Sequence, residues 1–189
     1  MKQRFNSFSD LSRHKKEGVH YTIVTREIAG SNIVIVAPHG GSIEWSTSRI
    51  AKDIAANDHN LYIFEGIEPS NAFFELHVTS HQFTEPRCID LLSKNDVTLA
   101  IHGCRGDKPV VYLGGKDETL KSSLAAAFNA QGIKALTEGH VYKGISSQNI
   151  CNKNRRGQGV QLEFSRGIRD NPELTDKCIA IIRTQLKAL

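Results

Sequence analysis

The segment from residue 33 to residue 44 constrains this chain more than any other. An apolar run, Ile33 to Ala37, leads through Pro38 into a glycine-containing stretch that carries His39 and Glu44. A short apolar run bounded by turn residues is typical of a strand that is buried on both faces. Open α/β sheets carry their reactive groups at the carboxyl ends of such strands. The segment therefore predicts an α/β fold with a functional site where this strand ends.

Two later strands end in the same way. The apolar run Val97 to Ile101 is followed directly by His102, and the run Gly159 to Phe164 contains Glu163. A carboxylate between apolar neighbours is costly to bury unless it is paired or functional. Because the carboxyl ends of parallel strands meet at one edge of a sheet, we expect these side chains to lie close to those of the first segment.

The residue types at these strand ends favour a metal site. A separation of five residues would put His39 and Glu44 roughly 140° apart around a helix, so they are not a helical ligand pair. Gly40 and Gly41 instead allow a sharp turn that folds Glu44 back toward His39. Two histidines and one glutamate make a three-ligand zinc site, which leaves the other glutamate as a general base.

The rest of the chain alternates strands and helices, as expected for one α/β domain over residues 1–189 with an open mixed sheet flanked by helices. The stretch Glu68 to Glu85 is irregular, and its histidines His77 and His81 suggest an active-site loop. The further predicted strands are Tyr21 to Ile28, Leu61 to Phe64, Val110 to Leu113 and Ile133 to Leu136. The predicted helices are Ser46 to Ala56, Pro86 to Asn95, Asp117 to Ala130 and Asn171 to Leu189.

Composition limits the remaining possibilities. The 189 residues are 39% hydrophobic and 23% charged, as in an ordinary soluble protein. The first ten residues lack the apolar core of a signal peptide, and no run reaches the roughly 20 residues of a membrane span. We therefore expect no secretory signal, no membrane contact and a cytoplasmic protein as synthesised. The four scattered cysteines predict free thiols, although one bridge stays open. The net charge of +4 suits an anionic partner.

Three motifs in this order resemble the poly-γ-glutamate hydrolases of bacilli and their bacteriophages. They are Pro38 to Glu44, Ala100 to Gly103, and Asn154 to Gly157 continuing from Gly159 to Arg169. The resemblance runs roughly from Tyr21 to Arg169. It implies a zinc-carboxypeptidase-like α/β fold and cleavage of γ-glutamyl amide bonds in a secreted polyglutamate.

The resemblance also implies roles for single residues. His39, Glu44 and His102 would hold one zinc ion per chain, and Glu163 would be the general base. The substrate carries a carboxylate on every residue, so Arg105 and Arg166 are candidates for binding it or are solvated surface charges. His81 either stabilises the oxyanion or is an ordinary loop residue. We expect an endo-acting monomer that, if of phage origin, host lysis would release.

Three alternatives stay open. A zinc amidase acting on cell-wall peptides or N-acyl amino acids would use the same residues. A nucleic-acid-binding module would use the basic segment Lys153 to Arg156, although that segment lacks interleaved aromatic residues. A Cys104 nucleophile beside His102 would leave Glu44 and Glu163 unexplained. The sequence also reveals no aromatic side chain for the pocket of a strict carboxypeptidase.

Overall fold

A seven-stranded mixed sheet organises residues 3–68 and 70–189, the parts of the chain that the computed structural model describes. Met1, Lys2 and Pro69 lie outside them. The strand order is β1-β3-β2-β4-β7-β5-β6, in which β3, β2, β4 and β7 are parallel. β1 and β5 run antiparallel to the edges of this parallel group. The strands are β1 Tyr21–Arg26, β2 Ile33–Gly41, β3 Asn60–Gly66, β4 Val97–Gly103, β5 Val110–Gly115, β6 Lys134–Leu136 and β7 Val160–Phe164.

Helices cover both faces of this sheet. The helices are α1 Phe8–His14, α2 Thr47–Ala55, α3 Ala72–Leu76, α4 Pro86–Ser93, α5 Glu118–Ala130, α6 Arg166–Arg169 and α7 Pro172–Leu186, with a 3₁₀ turn at Ile150–Asn152. Side-chain caps define where several of them begin. Asp117 accepts a hydrogen bond from the Leu120 amide at the start of α5, and Asn171 does the same for Leu174 before α7. Within the described residues, no helix has the length and apolar character that a membrane span needs.

The connections that follow β2 and β3 cross on opposite faces of the sheet. α2 connects β2 to β3 and contributes Ile50 and Ile54 to one layer of the core. α4 connects β3 to β4 and contributes Leu91 and Leu92 to the other layer. Since β3 and β4 flank β2 on opposite sides, the chain reverses its direction of winding there, which opens a crevice at the carboxyl ends of β2 and β4. The predicted α/β fold and open mixed sheet are confirmed.

β2 is longer than the predicted strand, which ended at Ala37. It continues through a register shift to Gly41, so His39 belongs to the strand and not to the loop after it. Gly40 and Gly41 make this possible because they have no side chains. A Cβ at Gly40 would lie 2.3 Å from Oγ of Ser48, and one at Gly41 would lie 2.2 Å from the Gly66 carbonyl oxygen.

Other boundaries also differ from the prediction. β1 ends at Arg26, since the Ile28 amide bonds to Oδ1 of Asn60 and leaves the ladder. The stretch from Glu68 to Glu85 is not wholly irregular, because Ala72–Leu76 forms the short helix α3, which buries Leu76. The terminal helix runs only from Pro172 to Leu186.

Candidate active site

Four side chains converge in the crevice at the carboxyl ends of β2, β4 and β7. They are His39, Glu44, His102 and Glu163, which we call the cleft floor. Their residues are only 2% to 8% exposed. The β4–β7 register pairs His102 with Glu163, and β2 lies on the other side of β4. The structure therefore brings together four residues that are spread over 125 positions of the sequence.

The two floor histidines turn their Nδ1 atoms toward each other, at 3.2 Å. Nε2 of His39 donates to the Val78 carbonyl at 2.8 Å, and Nε2 of His102 lies 3.3 Å from Oγ of Ser80. A carbonyl only accepts, so Nε2 of His39 carries a hydrogen, and whenever the imidazole is neutral its Nδ1 lone pair faces the floor. Outer contacts of this kind orient metal-ligating imidazoles.

Glu44 reaches the same point because the chain turns back after β2. Gly41 has φ +64°, and the Glu44 amide donates to the His39 carbonyl at 2.9 Å. Oε1 of Glu44 lies 3.1 Å from Nδ1 of His39, and Oε2 accepts a hydrogen bond from the Gly103 amide at 2.8 Å. Burial alone would raise the pKa of Glu44, but His39 and His102 outweigh it and hold that pKa well below its usual range. The carboxylate is therefore charged.

The spacing of these atoms fits a zinc ion. Nδ1 of His39 lies 3.2 Å from Nδ1 of His102 and 3.1 Å from Oε1 of Glu44, and Nδ1 of His102 lies 3.7 Å from Oε2 of the same carboxylate. Ligand atoms bound tetrahedrally at about 2.0–2.1 Å lie roughly 3.3 Å apart, so one ion can contact all three. Neutral imidazole nitrogens and a carboxylate oxygen are ligands that zinc commonly takes in proteins. The chemistry and spacing of these residues therefore fit a zinc ion.

Glu163 differs from Glu44 in its electrostatic surroundings. Burial, helped by the neighbouring Glu44 carboxylate, outweighs the opposing effects of His102 and Arg169 and raises the pKa of Glu163 to about 7. Its Oε1 accepts a hydrogen bond from Nε2 of Gln161 at 3.3 Å. A carboxyl group whose pKa lies near neutrality is suited to taking up and releasing a proton.

His77 is a neighbour of the floor for which the sequence indicated only a loop position. Its Nε2 lies 3.9 Å from Oε1 of Glu44, and it joins His39 and Glu44 in a group whose ligand atoms are all within 4.8 Å. Its ring lies between those of His39 and Phe73, at centroid distances of 4.1 and 4.4 Å. Burial and the nearby His39 lower the pKa of His77 to about 3, so it is neutral.

The cleft above the floor has two connected lobes. The main lobe, about 430 Å³, is lined by His81, Arg105 and Tyr142 as well as the floor. The side lobe, about 330 Å³, shares Arg105 with it and is also lined by Arg166 and Arg169. The three predicted substrate-binding residues therefore lie in different lobes. His81 and Arg105 line the main lobe, and Arg166 lines the side lobe. Arg166 is held by Asp170, with Nε and Nη2 at 3.0 and 2.9 Å from Oδ2.

Tyr142 supplies the aromatic side chain that the sequence did not reveal. It lies in the loop between β6 and β7, and only the tertiary fold brings it to the lining of the main lobe. Its side chain hydrogen-bonds with Cys104, and burial raises the pKa of Tyr142 to about 12. Burial likewise raises the pKa of the Cys104 thiol to about 11. The thiol therefore stays protonated at neutral pH, which disfavours Cys104 as a nucleophile.

The basic segment Lys153 to Arg156 is tied to the fold. Arg155 bonds to Asp96 at 2.5 and 2.8 Å, and Nη1 of Arg156 lies 3.1 Å from Oδ2 of Asp117. These ion pairs engage the two guanidiniums that a nucleic-acid-binding module would use. All four cysteines, Cys88, Cys104, Cys151 and Cys178, are buried free thiols, as the sequence predicted.

Comparison with curated proteins identifies relatives in Bacillus subtilis (strain 168). The chain is 36% identical over 164 residues to the SPbeta prophage-derived protein YoqZ, an alignment covering 86% of this chain. It is 30% identical over 167 residues to YndL, covering 87% of this chain. The chain spans only 58% of the length of YoqZ and 65% of that of YndL.

Solved structures agree over almost the whole chain. A bacteriophage poly-gamma-glutamate hydrolase superimposes with a TM-score of 0.92 at 26% identity, covering 99% of this chain and 98% of that one. A zinc-free form of YndL gives a TM-score of 0.90 at 26% identity, covering 98% of both chains. A Burkholderia mallei protein described as a candidate carboxypeptidase gives 0.56 at 15% identity, over 89% of this chain and 59% of its own. The last likeness concerns the fold alone, and it agrees with the predicted carboxypeptidase-like architecture.

The family model of the poly-gamma-glutamate hydrolases matches residues 5–177. The match spans all four floor residues and the motifs from which the resemblance was predicted. The chain belongs to the poly-gamma-glutamate hydrolase family.

Proposed function

We propose that this chain is a zinc-dependent hydrolase that cleaves the γ-glutamyl amide bonds of poly-γ-glutamate. The observation that carries the proposal is the convergence of two imidazole Nδ1 atoms and the Glu44 carboxylate at separations of 3.1 to 3.7 Å. Membership of the family supports the choice of substrate. Residues 1–189 would act as one catalytic domain and as a monomer, and a single chain supplies every floor residue, so the site requires no second copy.

His39, Glu44 and His102 would hold one zinc ion. Zinc bound there would act as a Lewis acid on the amide carbonyl and bring the pKa of a water molecule to about 7. The Val78 carbonyl and the Ser80 hydroxyl keep the two imidazoles turned inward. This arrangement presets the ligand set before an ion arrives.

Glu163 would move the proton in the reaction. Gln161 holds its Oε1, which leaves Oε2 to take a proton from the attacking water and pass it to the leaving amine. His77, a neutral imidazole beside the floor, and His81 in the main lobe are the side chains that could donate a hydrogen bond to the developing oxyanion.

The shape of the cleft favours cleavage inside the polymer. The main lobe and the side lobe meet at Glu44, so a bound chain can extend to both sides of the floor. Arg105 lines both lobes and is the best placed of the predicted cations to contact a substrate carboxylate. We therefore propose an endo-acting enzyme whose partner is an anionic polymer.

The test is a time course with the purified, zinc-loaded chain. Metal analysis should give about one zinc per chain, and size-exclusion chromatography should show polymer length collapsing before much free glutamate appears. The Glu163→Gln protein, which keeps the zinc ligands, is the matched control. Release of single glutamates from undiminished polymer would exclude internal cleavage. Intact polymer together with hydrolysis of a cell-wall peptide or an acyl-amino acid would establish the amidase alternative instead.

A further inference from the structure

Arg169, which has no role in the mechanism above, bonds to three separate segments of the cleft. Its Nε donates to the Phe164 carbonyl at 2.9 Å, Nη1 to the Trp45 carbonyl at 2.6 Å and Nη2 to the Cys104 carbonyl at 2.8 Å. Among the described residues, no carboxylate lies within ion-pair distance of it. Its guanidinium therefore serves to hold backbone.

Each of these carbonyls lies next to a floor residue in the sequence or one residue removed from it. Trp45 follows Glu44, Phe164 follows Glu163, and Cys104 is two residues after His102. Phe164 is the last residue of β7, Cys104 follows the last residue of β4, and Trp45 lies in the turn after β2. The Cys104 amide donates to the Phe164 carbonyl at 2.9 Å, so the ends of β4 and β7 are also joined directly. Arg169 is thus one group that bonds both to these paired strand ends and to the turn after β2.

Gly103 makes the contact possible. A Cβ at this position would lie 2.7 Å from Cζ of Arg169, so any other residue would displace the guanidinium. The amide of the same glycine donates to Oε2 of Glu44 at 2.8 Å. Gly103 and Arg169 together therefore link the turn that carries Glu44 to the end of β4.

The geometry suits arginine and no other cation. A guanidinium is planar and offers five N–H donors in fixed directions, so three carbonyls arranged around it can each accept one. A lysine ammonium is a point charge on a flexible stem and cannot hold three separated carbonyls in one plane.

We propose that Arg169 is a positioning residue that locks the turn after β2 to the paired ends of β4 and β7 and thereby sets the affinity of the floor for zinc. The zinc part of this inference rests on the proposed function. Contacts that orient metal ligands are typically worth a factor of 10–100 in metal affinity. We therefore expect Arg169→Ala to raise the zinc dissociation constant by about that factor.

Zinc titration followed by fluorescence tests the inference, because Trp45, the one tryptophan of the chain, lies beside Glu44. The matched control is Arg183→Ala, since Arg183 donates to the Asp53 and Ile54 carbonyls and to Asp58 away from the cleft. Arg183→Ala should bind zinc as the natural chain does. Arg169→Lys should not restore affinity. Gly103→Ala, which displaces the guanidinium but keeps the charge, should weaken zinc binding in the same direction.

A second readout does not depend on zinc. In the metal-free chain, amide hydrogen exchange of residues 44–46 and 103–105 should speed up in Arg169→Ala and not in Arg183→Ala. The exchange measurement needs no zinc. A natural chain that bound no zinc would contradict the proposed function, and the exchange rates would still show whether Arg169 holds these segments in place. Unchanged exchange and unchanged zinc affinity together with a raised KM would overturn the inference and make Arg169 a substrate contact. If Arg169→Ala does not fold, Gly103→Ala and Arg169→Lys decide by the same measurements.

Discussion

The cleft floor and the cleft rim are built in different ways. The floor residues come from or directly follow the parallel strands β2, β4 and β7, and they are nearly fully buried. The rim, which we define as His77, His81, Arg105 and Tyr142, comes from loops and lines the main lobe. Strands paired on both sides fix side chains closely, whereas loop residues depend on a few local contacts. We therefore expect the floor to carry the chemistry and the rim to adjust binding.

The largest effect should follow from removing a floor ligand. His102→Ala should lose zinc and reduce hydrolysis by a factor on the order of 10³ or more, because an ion with two remaining ligands is weakly held. His81→Ala, a rim change, should keep its zinc. Metal analysis beside an activity assay measures both. Full zinc occupancy in His102→Ala would remove His102 from the ligand set. It would also contradict the expected difference between floor and rim residues.

Glu163→Gln should separate metal binding from chemistry within the floor. Glutamine keeps the size of the side chain but cannot take the proton, so turnover should fall by a factor on the order of 10²–10⁴ while zinc stays bound. Single-turnover kinetics and zinc content of the same preparation measure the two quantities. Loss of zinc would mean that Glu163 is a ligand, and near-normal turnover would mean that the base lies elsewhere.

The activity should fall on the acid side of neutrality. Glu163 must be deprotonated to act as a base, so activity is present above its pKa and lost below it. Burial raises this pKa to about 7, and a zinc ion beside it would lower the value again. The acid limb of kcat/KM should therefore lie at or below pH 7 in the zinc-loaded chain. A profile of kcat/KM against pH that stays flat from pH 8 to pH 4 would contradict this.

The same group should affect the stability of the metal-free chain. The folded-state pKa of Glu163 is raised above the value of 4.5 expected in the unfolded chain, so the folded state loses stability as pH rises from about 4.5 through 7. Glu163→Gln removes this cost and should raise the free energy of unfolding at pH 8 by at most a few kcal/mol. At pH 4 the gain should vanish. An equal gain at both pH values would point to packing instead of charge.

The smallest effects should come from the arginines near the cleft. Arg105→Ala should raise the KM for the polymer by about 2- to 5-fold, as expected for a solvent-accessible ion pair, and weaken its dependence on salt. Arg166→Ala should do less, because Arg166 lines only the side lobe whereas Arg105 lines both lobes. Both proteins should keep their zinc. A larger rise in KM for Arg166→Ala than for Arg105→Ala would move substrate binding into the side lobe.

The sequence by itself determined the fold class and the floor. The apolar runs that precede His39 and His102 and surround Glu163 are local patterns, and buried parallel strands require them. Parallel strands align their carboxyl ends, so residues at those ends meet whatever the loops do. The turn at Gly41 was also predictable, because glycine readily adopts a positive φ.

Only the tertiary structure decided how the floor is supported and what surrounds it. The packing of the His77 ring against that of His39 and the position of Tyr142 over the main lobe left no pattern in the sequence. Arg169 gives the clearest case, because its carbonyl partners lie up to 124 positions away in the chain. A backbone carbonyl is common to every residue type, so no sequence signal marks the ones that an arginine will bind. Such contacts depend on where the folded chain brings distant segments, which local periodicity does not encode.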